Sequence, residues 1–198
     1  MAQEEEAKSR AAYRDGLACF ERKAKAAGVF EASLAARINH YGVADHVAKV
    51  AQTYDLCLLP LAAGYDGQLE VVQAVVFSSG RPVLIFRAGD AAGLAKCPDL
   101  AVVAWDGSRS AARAMADALP ILTRAKQVRL LTVLNEKPDA TTDLGIDAQR
   151  HLRAHRVEAT LETVDAKGAN IGKVLSDYVK NSFARSFGHG RVWAFASQ

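Results

Sequence analysis

The strongest chemical signal in this chain is Asp106-Gly107-Ser108, which directly follows the apolar run Leu100-Ala101-Val102-Val103-Ala104-Trp105. An aspartate at the point where a strand gives way to a helix can accept hydrogen bonds from ligand hydroxyls or from an exocyclic amine. The same three residues also suit a strand-to-helix turn with Ser108 as N-cap, so the motif reads two ways. A second segment, Gly188-His189-Gly190-Arg191, has glycines that let backbone N–H groups approach an anion, with Arg191 to supply charge. It reads equally as a terminal tail.

Other reactive side chains point less far. His151 and His155 stand at i and i+4 in a helical stretch, a spacing that can chelate a metal. No third ligand lies near them in sequence, and histidines in a last helical turn are also favoured by the helix dipole. No metal site is therefore predicted. Cys19, Cys57 and Cys97 are odd in number and lack CxxC spacing, which fits reduced thiols of a cytoplasmic protein. Gly64-Tyr65-Asp66-Gly67 and Ser78-Ser79-Gly80-Arg81 read as a loop and a helix stop. There is no Gly-x-Ser-x-Gly elbow, no Walker-type lysine, no His-Glu-x-x-His and no close carboxylate pair, so no catalytic residue is assigned.

The elements that must position these residues alternate. Helical periodicity runs from about Glu4 to Ala27, with Tyr13, Leu17, Phe20 and Ala24 on one stripe, and from Gly42 to Tyr54, with Val43, Val47 and Val50. Leu56–Leu61 suits a buried strand, then a helix carries Leu69, Val72 and Val76, then Pro82–Phe86 is a second strand. After a Gly- and Pro-containing linker the pattern restarts with strand Leu100–Trp105. Its helix turns Ala112, Met115, Ala116, Leu119 and Leu122 inward, and Pro120 kinks it or ends its regular part. Strand Val128–Leu134, helix Thr142–His155, strand Val157–Val164 and helix Ala169–Ser182 follow. This alternation predicts an α/β fold, an open and mainly parallel sheet with helices on both faces.

Composition agrees with a globular protein. The 198 residues are 50% hydrophobic and 24% charged, with a formal net charge of +3. That charge is too mild, and too little interleaved with aromatic residues, to imply a nucleic-acid partner. The opening Met-Ala-Gln-Glu-Glu-Glu lacks the order of a signal peptide, and no apolar run has the length of a membrane span. A cytoplasmic location without membrane attachment is the expectation.

Residues 101–134, from Ala101 through Asp106-Gly107-Ser108 to Leu130-Leu131-Thr132-Val133, resemble the opening βαβ unit of the universal stress protein family. The similarity continues through Arg150-His151-Leu152 to the helix near Lys180. The stretch of about 41–86, with Tyr54-Asp55-Leu56 and Phe77-Ser78-Ser79-Gly80-Arg81-Pro82, resembles the closing half of a degenerate first repeat in tandem members. The resemblance implies a partial first module over 1–88, a linker over 89–98 and a partial second module over 99–198. It further implies a regulatory, stress-response role and a nucleotide site for ATP or another adenine nucleotide. Asp106 would face the ribose or adenine edge, with Gly107 and Ser108 beside it as cofactor-binding residues, and Val133 would bear on the adenine. Gly188, His189, Gly190 and Arg191 would be what remains of the phosphate loop.

The phosphate side departs from the family pattern. Arg185 takes the place of the first glycine if Gly188 is the second, the third falls at Gln198, and no apolar strand precedes the segment. Against the family fold, the first module is expected to lack the opening strand, helix and strand, and the second the closing strand, helix and strand. The two gaps are complementary, which predicts one shared, permuted sheet with Leu56–Leu61 beside Leu100–Trp105, or modules swapped between chains. A homodimer is expected under either arrangement, because strand edges left exposed drive association. The alternative function is a ligand-free dimerisation or interaction module.

Overall fold

Helix-forming runs rich in alanine alternate with short runs of branched residues, and the chain folds accordingly into an α/β protein. The computed structural model describes residues 2–34, 38–61, 66–87, 97–135, 143–186 and 192–195. Two compact units are present, Met1–Val43 and Ala44–Gln198.

The first unit is dominated by helix α1, Ala2–Ala26. It ends on Gly28 at φ +68°. There the Val29 N–H reaches back to the Ala24 carbonyl and the Gly28 N–H to that of Lys25, both at 3.0 Å. This is a Schellman stop, which glycine makes without a Cβ penalty. Just beyond it Phe30 packs edge-on against Phe20, with ring centroids 6.3 Å apart. The Lys25 ammonium sits 4.8 Å above the Phe30 ring. The Ser33 hydroxyl and Lys25 bond Glu21 and hold its carboxyl below the ordinary range, the serine bond contributing most. Tyr13 and Phe20 remain more than half exposed, so the expected apolar stripe is not a buried face within this unit. No helix among the described residues is long and apolar enough to cross a membrane.

In the second unit, α2 (Val43–Ala51) and α3 (Asp66–Ser78) flank strand β1 (Cys57–Leu61), and β2 (Val83–Arg87) follows. Strands β1 and β2 pair in parallel, with Leu59 beside Ile85. Ala48, Ala51 and Val75 form the core here, against Cys57, Leu59 and Val83. The predicted stripe of α2 is displaced by one residue: Ala44, Ala48 and Ala51 are buried where Val43, Val47 and Val50 were expected. On α3, Val72 is buried as expected, together with Val75, while Leu69 and Val76 are exposed. Alanine explains the shift on α2, because a small side chain lets a helix lie close on the sheet and leaves the valines on its flanks.

The remaining strands make a four-stranded parallel sheet of order β5-β4-β3-β6. They are β3 (Leu100–Ala104), β4 (Gln127–Leu134), β5 (Ala159–Asp165) and β6 (Val192–Phe195). Helices α4 (Arg109–Leu122) and α5 (Ile146–Ala154) cover one face, packing Met115, Ala118, Leu122, Ala148 and Leu152 on Ala101, Val103 and Leu130. Helix α6 (Ile171–Ser186) covers the other, with Leu175 and Tyr178 against Leu100, Val102 and Leu131. Leu100, Leu122, Leu130, Leu131 and Leu152 are fully buried, each contributing about 1.5–3 kcal/mol of transfer free energy.

Three expectations are corrected here. The shared sheet does not form: β1 pairs with β2, and the two edges of β3 are taken by β4 and β6. A strand does follow the last helix, since α6 continues to Ser186 and β6 then lies beside β3 with Leu100 opposite Val192. On α4 the buried stripe is Ala111, Met115, Ala118 and Leu122, not one through Ala112 and Ala116. Alanines on every side of that helix leave its facing ambiguous in sequence. Pro120 is accommodated two residues before the helix ends, where only one backbone bond is forfeited.

Candidate functional site at the end of strand β3

The turn after β3 is built by its own side chains. The Ser108 N–H donates to Asp106 Oδ1 at 3.0 Å, closing an Asx turn. The Ala111 N–H donates to Ser108 Oγ at 3.0 Å, so Ser108 is the N-cap of α4. Gly107 sits at φ +74°, and a Cβ there would stand 3.2 Å from Leu144 Cδ1. The backbone angle favours glycine, and a Cβ would also oblige the Leu144 side chain to give by a few tenths of an ångström. Trp105, overlooked in the sequence, fixes the opposite wall: its indole Nε1 donates to the Leu144 carbonyl at 3.0 Å, tying the turn before α5 to the exit of β3.

Asp106, Gly107 and Ser108 are thus brought together, with Asp106 half-buried and Ser108 engaged as a cap. Ala104 pairs with Leu131, so extending the register by two residues brings Val133 level with Asp106. Val133 lies on the α6 side of β4 and is 8% exposed, leaving only a small surface for a ligand. Gly188, His189, Gly190 and Arg191 lie outside the described residues, as does most of the predicted linker. His151 and His155 do meet, with ring centroids 4.7 Å apart on the exposed side of α5. Among the described residues no group of three or more His, Cys, Asp or Glu could hold a metal. Cys19, Cys57 and Cys97 are free thiols, and burial pushes that of Cys57 up.

Crossover direction decides what this sheet can do. The connections β3-α4-β4 and β4-α5-β5 run over one face, while β5-α6-β6 returns over the other. The strand order therefore reverses between β3 and β6, and the chain diverges there at the carboxyl ends. Such a switch point opens a crevice for ligands in open α/β sheets. The Asp106 turn stands at this point.

A second polar constellation was not foreseen. Arg129 in β4 faces α6, where its Nε lies 3.2 Å from Glu162 Oε1. Its Nη1 donates to the Tyr178 hydroxyl at 3.2 Å and to Ser182 Oγ at 3.3 Å. Tyr178 in turn donates to Glu162 Oε2. Burial first, and then the bond to the Glu162 carboxylate, push the Tyr178 phenol above its ordinary value, against smaller opposing effects of Arg129 and Ser182. The signal was present as a charged residue inside the apolar strand Val128-Arg129-Leu130-Leu131, which demands a partner when buried.

Compared with known proteins, the chain matches no protein-family model. No curated protein matches it either.

Proposed function

We propose that this chain is a regulatory protein of universal-stress-protein type that takes an adenine nucleotide at the exit of β3. The observation that carries this reading is the reversal of strand order between β3 and β6 with the Asp106 turn at its carboxyl end. The Asp106 carboxylate supplies an acceptor for ribose hydroxyls or the adenine amine, and Val133 stands level with it. The resemblance over residues 101–134 supports the same assignment. Calorimetric titration with ATP and AMP tests it. Saturable heat with both nucleotides, lost in Asp106→Ala, is the expected result; heat that persists unchanged in that variant would move the site elsewhere.

A second reading, a dimerisation module, is favoured by the β1–β2 pair. Its face bearing Leu58, Pro60, Leu84 and Phe86 is opposite the one packed by α2 and α3, and Leu58 is 52% exposed. Parallel strands are ordinarily covered on both faces, and an unpaired edge templates association. A second copy of this chain would cover that face. Sedimentation velocity on the wild type and Leu58→Lys separates the cases: dimer lost in the variant supports it, and an unchanged distribution refutes it.

A further inference from the structure

A cavity of about 500 Å³ opens on the α6 face of the sheet, within the range of small-molecule sites. Its polar floor is Arg129 and Glu162, its apolar wall is Val164, Val174 and the Tyr178 ring, and Asn181 stands at its side. It begins beside the β3 exit, since its Val164 is the cross-strand partner of Val133, and runs from there toward the middle of the sheet. Arg129 pairs with Val102 well inside the sheet and lies four positions before Val133, about 13 Å along the strand.

What the cavity can take follows from which hydrogen-bonding groups are already spent. Glu162 is paired on both sides: its Oε2 accepts from the Tyr178 hydroxyl and its Oε1 lies 3.2 Å from Arg129 Nε as an ion pair. Asp177, also on the lining, accepts from Lys173 at 2.5 Å. Each acidic group thus has a cationic partner, Arg129 for Glu162 and Lys173 for Asp177. The donors are not all engaged. Arg129 directs Nε and Nη1 at Glu162, Tyr178 and Ser182, which leaves the two N–H groups of Nη2 without an acceptor among the described residues. The Asn181 amide is likewise unbonded among the described residues. The Arg129 side chain is 20% exposed, so its unused donors still face the cavity mouth. A guanidinium with spare N–H groups beside an apolar wall recognises a carboxylate carrying an apolar body. A cationic ligand would meet Arg129 and would compete with Arg129 and Lys173 for carboxylates already paired with them.

We infer that this cavity is a binding site for a small organic carboxylate, held by Arg129 Nη2 and the Asn181 amide, with its apolar body against Val164, Val174 and Tyr178. Chemical-shift titration of the full chain with sodium benzoate tests the inference, with benzamide as the uncharged twin and sodium sulfate as the anion without a body. At about 10 mM a site of millimolar affinity is mostly filled. Saturable shifts at Val164, Val174 and Asn181 with benzoate, and none with benzamide or sulfate, are expected. Asn181→Ala should weaken benzoate about ten-fold, the effect of losing one hydrogen bond to a charged group. Val174→Trp, which fills the cavity, should abolish the shifts. Asn181 is exposed, so its variant still reports if the tryptophan perturbs folding. Equal response to benzamide would mean an apolar crevice only, and equal response to sulfate an adventitious ion only. Either result, or no saturation with benzoate, overturns the assignment.

Discussion

Tyr178→Phe removes one oxygen from the network that joins β4, β5 and α6, and its consequences can be worked out in advance. The hydroxyl donates to Glu162 Oε2 and accepts from Arg129 Nη1 at 3.2 Å. Both partners are charged, and bonds to charged groups contribute about 1.5–3 kcal/mol each when well buried. Glu162 is 34% exposed and can recruit water, and Arg129 keeps Glu162 and Ser182, so the net cost should be about 1–2 kcal/mol. For a chain of this size that lowers Tm by roughly 2–4 °C per kcal/mol, with the urea m-value unchanged. The pH dependence carries a second signature. The folded phenol titrates above its unfolded value of 10.0, so the native state holds its proton where the unfolded state has lost it. The resulting stability is fully present below pH 10 and declines as pH rises through the higher folded value. Urea melts between neutral pH and pH 11 should show the wild type losing more stability in the alkaline range than Tyr178→Phe. Equal midpoints at neutral pH together with superimposable alkaline limbs would refute the network.

Two further substitutions test the frame around the site. Gly107→Ala places a Cβ at φ +74° and 3.2 Å from Leu144 Cδ1, and should cost about 1–2 kcal/mol from the left-handed backbone alone, read as a lower chemical-denaturation midpoint. Leu152→Ala opens a cavity at a fully buried position between α5 and the sheet and should cost about 2–5 kcal/mol, measured in the same way.

The α/β class and the parallel pairing were legible because β3 reads Leu-Ala-Val-Val-Ala, buried on both faces, between helical stretches. Helix facings were less so. In α4 the residues Ala111, Ala112, Ala114, Ala116 and Ala118 are equivalent in sequence, and only packing against Ala101, Val103 and Leu130 selects the 111–115–118–122 stripe. The last strand was missed because Val192-Trp193-Ala194-Phe195 is short and follows a helix that ends four residues later than its periodicity suggested. Its place beside β3 comes from long-range pairing that no local pattern encodes. At the site, Asp106-Gly107-Ser108 was found through its spacing, and its capping role was anticipated. The contact between Gly107 and Leu144 and the indole bond of Trp105 join residues far apart in sequence, so spacing could not reveal them.

The nucleotide assignment is tested most directly by thermal unfolding with and without millimolar ATP, on the wild type and Asp106→Ala. Asp106 also receives the Ser108 N–H, so each protein is compared with its own ligand-free baseline. A ligand bound only by the native state at a hundredfold excess over Kd stabilises by about 2.7 kcal/mol, a rise of several degrees. The expected result is such a dose-dependent rise in the wild type and none in Asp106→Ala. No rise in the wild type, or equal rises in both proteins, would contradict the assignment of the β3 exit as an adenine-nucleotide site.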